Sequence, residues 1–195
     1  MKYLIVPLIL FILLLAGCSP SVPVPTSTPI PTVTNTPETV LLSEPGAGSL
    51  FAINEIGLGP NGYVSLTNFT DGPASLSGLF LCQGPTCFEL PKADVPAGST
   101  VRVASGDGNG LEDIVAANAG FGELQPENGE IALYATQDTA DPKSMLTYLQ
   151  WGSTPHQNTE TAIQAGLWIA GAFAPSSAQA KRLYRTEGGL WLFEE

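Results

Sequence analysis

Charge is scarce in this sequence, and positive charge is scarcest of all. Only 13% of its 195 residues are Asp, Glu, Lys or Arg, about half the share of an ordinary soluble domain. Seven bases stand against 18 acids, a formal net charge of −11. Such a chain lacks the basic patch or stripe that phosphate backbones demand, so nucleic acid is not expected as a partner. There is one histidine, His156, which excludes a His-rich metal site and any catalytic scheme needing a second imidazole. A metal site on Cys82 and Cys87 would need two further ligands, and no second Cys pair or His pair provides them. No Gly-x-Ser-x-Gly elbow, His-Glu-x-x-His pair or phosphate-binding glycine loop is present. No catalytic residue and no cofactor is therefore expected.

What is present begins at the N-terminus. Lys2 precedes an apolar stretch from Tyr3 to Ala16, broken only by Pro7. That length suits a secretory signal and is short of the roughly 20 residues a membrane-spanning helix needs. Leu15-Ala16-Gly17-Cys18-Ser19 follows. Small residues before a cysteine resemble the lipobox of bacterial lipoproteins. The resemblance implies cleavage after residue 17 and a lipid on the Cys18 thiol, with two or three acyl chains holding where one would not. The chain is thus expected in the cell envelope, lipid-anchored on the outer face of a bacterial membrane.

Residues 18–47 read as a linker. From Ser19 to Pro45 there are seven prolines and ten Ser or Thr among 27 positions, with charge only at Glu38 and Glu44. Proline locks φ and removes an amide donor, so the stretch favours extended conformations and builds no core. At about 3.1 Å per residue it reaches on the order of 80 Å.

Residues 48–195 are long enough to bury a core. Short runs of alternating apolar residues, split by Gly, Pro, Asn and Asp, predict an all-β sandwich. Strands are expected near Leu50–Ile56, Tyr63–Asn68, Leu79–Cys82, Cys87–Leu90, Thr100–Ala104, Glu130–Ala135 and Thr147–Trp151. Gly59-Pro60-Asn61-Gly62, Thr70-Asp71-Gly72-Pro73 and Pro96-Ala97-Gly98 carry turn chemistry. Thr159 to Gly166 reads as a short C-terminal helix with a threonine N-cap and a closing glycine.

Ala52-Ile53-Asn54-Glu55-Ile56, then Gly62-Tyr63-Val64-Ser65-Leu66-Thr67-Asn68, resembles the opening of the lamin-tail domain. Leu76 to Leu81, Phe88-Glu89-Leu90-Pro91 and Pro96-Ala97-Gly98-Ser99 before Val101-Arg102-Val103 continue its motifs in order. The resemblance implies an immunoglobulin-like β-sandwich over 48–153, of a kind often exported in bacteria. Leu79 stands where many members carry Trp, and Ser65 where an acid is common. Residues 154–195 are expected as a C-terminal extension packed on the sandwich.

Cys82 and Cys87 flank Gln83-Gly84-Pro85-Thr86. A Gly-Pro turn would set them opposite one another, and an exported location favours a structural disulfide. Asp107, Asn109, Glu112 and Asp113 offer hard oxygens that suit calcium. The run departs from an EF-hand loop, because Leu111 falls where a ligand belongs, and Asp-Gly-Asn-Gly is equally a solvated turn. The turn is the favoured reading, with no metal expected. His156 sits in a polar loop. Glu127 with Glu130, or Glu112 with Asp113, could be called paired carboxylates, though spacing alone sets neither pair across a scissile bond. Trp151 and Trp168 are expected to close the core.

These readings converge on a non-catalytic surface lipoprotein that binds a protein or polysaccharide partner or helps organise the envelope. The alternative is an extracytoplasmic hydrolase or accessory enzyme with a carboxylate site. Nearly all the acid lies in residues 48–195, so the domain's own surface should avoid anionic headgroups, and the membrane should be held only through the lipid on Cys18.

Overall fold

The computed structural model describes residues 48–195. The expected signal segment, Cys18 and the expected linker, residues 1–47, lie outside the described residues. Twelve strands and one helix follow in order: β1 Phe51–Gly57, β2 Tyr63–Asn68, β3 Ala74–Ser75, β4 Phe80–Gln83, β5 Thr86–Glu89, β6 Asp94–Val95, β7 Thr100–Ala104, β8 Ile114–Ala116, β9 Gly129–Tyr134, β10 Met145–Trp151, α1 Thr159–Gln164, β11 Arg182–Arg185 and β12 Trp191–Glu194. The all-β expectation holds. β2 and β7 keep the bounds read from alternation alone, with Val64, Leu66 and Val103 buried on one face and Tyr63, Thr67, Thr100 and Arg102 partly exposed on the other.

The strands form a six-stranded sheet ordered β12-β11-β1-β2-β7-β8, a four-stranded sheet ordered β10-β9-β4-β5, and the short pair β3-β6. Among these named strands the pairings are antiparallel except β7 with β8. The C-terminal stretch does more than pack on the sandwich. Its β11 pairs with β1, putting two strands from beyond residue 180 into the sheet that opens the domain.

One core lies between the two large sheets, with β1 against β10. Phe51, Ile53, Ile56, Val64, Leu66, Val103 and Leu183 line it from one side, Leu81, Ile131, Leu133, Leu149 and Trp151 from the other. Trp151, fully buried, donates its indole N–H to Gln125 O at 2.8 Å. It lies over Gly129, where an added Cβ would fall 2.3 Å from Trp151 Cζ2. Trp168 and Trp191 are buried too.

Asn68 ties the predicted turn at residues 70–73 to β6. Its buried amide donates to Gly72 O, Val95 O and Pro96 O, while its Oδ1 accepts from the Thr70 N–H and hydroxyl. The helix begins differently from expectation. Its N-cap is Asn158 rather than Thr159, and that side chain makes no capping bond because it is committed elsewhere.

Candidate functional site

Two polar constellations stand out, one sealed and one exposed. The sealed one lies on the face of the four-stranded sheet that points away from the core, under α1 and the segment following it. Glu130 in β9 is the one acid or base that is buried among the described residues. A buried carboxylate is costly unless its lone pairs are filled, and here the donors are neutral. Tyr148 Oη donates at 2.8 Å, Asn158 N–H at 3.1 Å and Asn158 Nδ2 at 3.0 Å. Asn158 Nδ2 also reaches Gly84 O at 3.0 Å, so one amide joins the helix start to the β4–β5 turn. Thr159 Oγ1 donates to Gln150 Oε1, and Gln150 Nε2 donates to Ala172 O. Trp168 covers the cluster edge-on to Tyr148, with ring centroids 5.3 Å apart. Burial, reinforced by the Glu130 charge, holds the Tyr148 phenol well above its usual range, and the Tyr134 phenol likewise. With its lone pairs occupied and its cover in place, Glu130 is a clamp rather than an acid facing a substrate.

The exposed constellation lies on the outer face of the six-stranded sheet. Register sets Leu192, Tyr184, Glu55, Ser65 and Arg102 in one row across five strands, with Glu194, Arg182, Gly57 and Tyr63 in the next. Glu55 is the hub. Its carboxylate meets Arg182 at 3.2 Å and Arg102 at 3.9 Å, and accepts the Tyr63 hydroxyl. Arg182 also pairs with Glu194 at 2.5 Å. Each guanidinium lies over a ring, Arg102 on Tyr63 and Arg182 on Tyr184, both 5.3 Å from the centroid. Tyr63 crosses Gly57 so closely that an added Cβ would fall 2.2 Å from its ring. Burial first, then the hydrogen bond and charge of Glu55, push the Tyr63 phenol up to about 12. Ser65 is buried beneath this array. Leu192, 41% exposed, ends the row at the sheet edge.

The residues singled out from the sequence fall as follows. Cys82 and Cys87 are joined by a disulfide across the β4–β5 hairpin, with Cα atoms 4.1 Å apart. Gly84 at φ 54° and Pro85 fill the two-residue turn. Asp107 is spent locally, its carboxylate accepting from Asn109 N–H at 3.0 Å and Asn109 Nδ2 at 2.6 Å. Glu112 and Asp113 turn main-chain carbonyls to Arg102. Among the described residues no group of three or more His, Cys, Asp or Glu could hold a metal ion. His156 offers its main-chain N–H to Thr159 Oγ1. Glu127 is exposed while Glu130 is buried, so the two are not a working pair. The Glu55 row escaped the sequence reading. Its signal was the set of polar alternates, Glu55, Tyr63, Ser65, Arg102 and Tyr184, between apolar neighbours.

No protein-family model, curated protein or solved structure matches the chain.

Proposed function

We propose that this chain is a non-catalytic, lipid-anchored surface module that holds an immunoglobulin-like, lamin-tail-like sandwich away from a bacterial membrane and binds a protein or polysaccharide partner. The observation that carries the binding role is the Glu55 row. Tyrosine and arginine are the side chains most enriched where partners are gripped. Here they are pre-paired, so little rotamer freedom remains to be lost on association. The anchor rests on the Leu15-Ala16-Gly17-Cys18 motif, and the distance on the proline-rich linker. The lamin-tail reading rests on the ordered motifs between Ala52 and Val103 and agrees with an all-β, two-sheet architecture. The clamped state of Glu130 favours binding over the hydrolase alternative, since the buried acid already has its partners.

The test is retention of envelope proteins and polysaccharides by the mature chain in detergent, compared with a Tyr184→Ala/Leu192→Ser variant. A component held by the wild type and lost by the variant supports the reading. Equal retention by both, or none by either, counts against it.

A further inference from the structure

We propose that Thr159 and Gln150 join covalently in the folded chain, the threonine hydroxyl displacing ammonia from the glutamine amide to leave an ester between α1 and β10. Thr159 opens the helix and Gln150 stands in the strand beneath it. Thr159 Oγ1 lies 2.7 Å from Gln150 Oε1. A carbonyl bond of about 1.2 Å then puts the hydroxyl within about 4 Å of Cδ, close to attack distance before anything moves. Neither reacting group is loose. The His156 main-chain N–H donates to Thr159 Oγ1 at 2.9 Å, and Gln150 Nε2 donates to Ala172 O at 2.8 Å.

A hydroxyl is a weak nucleophile until a base takes its proton, and the cluster supplies a route. Tyr148 Oη lies 2.8 Å from Glu130 Oε2, 3.0 Å from Thr159 Oγ1 and 3.2 Å from Gln150 Oε1. With the Thr159–Gln150 contact, these oxygens make more contacts than the Tyr148 and Thr159 hydroxyl hydrogens can fill. The Thr159 hydrogen can point to Gln150, or to Tyr148 while Tyr148 points to Glu130. Both arrangements keep the same number of hydrogen bonds, and the second is a relay from hydroxyl to carboxylate. Burial holds the Tyr148 phenol neutral, as a group that passes a proton on requires. The Thr159 Oγ–Gln150 Cδ bond forms and the Cδ–Nε2 bond breaks. The hydroxyl proton travels through Tyr148 to Glu130 and returns to the departing nitrogen, so ammonia leaves and Glu130 ends as a carboxylate. Nothing is oxidised or reduced. While charge builds on the Gln150 oxygen, the Tyr148 hydroxyl is placed to donate to it. Water that would hydrolyse the ester is kept out, since Glu130, Tyr148, Gln150 and Thr159 are 2%, 5%, 0% and 6% exposed. The reaction is a single event within the chain, and it depends on neither the lipid nor what the module binds.

Mass spectrometry of the mature chain, folded in detergent and then denatured, reduced and digested, tests it. Trypsin leaves both residues in the peptide from Ser144 to Lys181. That peptide should be lighter than its sequence by the mass of ammonia, about 17 Da, and should give no fragments from single breaks between Gln150 and Thr159. Thr159→Ser should keep the loss, and Thr159→Val should abolish it. Tyr148→Phe, which retains the ring against Trp168, should slow its appearance at least about tenfold. A wild-type peptide of full mass would overturn the proposal whatever the variants do. A loss that persists in Thr159→Val, or ordinary fragmentation between the two residues, would overturn it as well.

Discussion

Asn158 grips Glu130 with both of its nitrogens, the main-chain N–H at 3.1 Å and Nδ2 at 3.0 Å, across 28 residues of sequence. The same Nδ2 holds Gly84 O, so this pair fastens the helix start, β9 and the disulfide hairpin together. Removing the carboxylate would take the acceptor from the buried Asn158 main-chain N–H and one partner each from Asn158 Nδ2 and the Tyr148 hydroxyl. Glu130→Ala is therefore expected to cost about 3 kcal/mol in urea unfolding. Glu127→Ala, at an exposed position, should stay within about 0.5 kcal/mol of wild type. Equal effects would show that Glu130 is not a clamp.

The Cys82–Cys87 bridge closes a short loop, so its contribution should be modest. Cys82→Ser/Cys87→Ser should lower stability by about 2 kcal/mol, and reduction of the wild type by a dithiol should do the same. Parallel urea titrations measure both. No loss in either would mean that the hairpin and the Asn158–Gly84 contact hold without the bond.

Alternation made β2 and β7 legible, and a Gly-Pro turn between two cysteines made the hairpin legible. Other parts of the fold were not written locally. β8 is three residues long and pairs in parallel with β7, which no local pattern announces. Lys181-Arg182-Leu183-Tyr184-Arg185 reads as a charged surface run. Its place beside β1 depends on long-range pairing and on Glu55, 127 residues upstream, which takes the Arg182 charge. Glu130 sits in a strand buried on both faces, where a lone acid among apolar residues signals a filled polar pocket more than catalysis. The N-cap is Asn158, one residue ahead of Thr159, and its side chain makes no capping bond because Glu130 and Gly84 hold it.

Alkaline pH should weaken the domain in a defined window. The folded state holds Tyr63 neutral up to about 12, whereas an unfolded tyrosine ionises near 10. A raised folded value adds stability that is complete below pH 10 and is lost as pH rises toward about 12. Tyr134 and Tyr148 act in the same sense. Thermal melts across this range should show a falling Tm, and Tyr63→Phe should fall less steeply. Parallel curves would remove Tyr63 from the account.

Calcium should leave the domain unmoved. Asp107 already accepts two hydrogen bonds from Asn109, and Glu112 and Asp113 are turned to Arg102 through their main chains. Melts with excess calcium and with chelator should coincide. A calcium-dependent rise in Tm that Asp107→Asn abolishes would restore the loop as a cation site.

Acyl labelling at Cys18 is the direct test of the proposed lipid anchor. In bacteria fed an alkyne-tagged fatty acid, the wild-type chain should carry the label, sediment with membranes and be released by protease added to intact cells or spheroplasts. Cys18→Ala should lose the label and leave the membrane fraction. An unlabelled wild type, or a Cys18→Ala chain that stays labelled and membrane-bound, would contradict the claim.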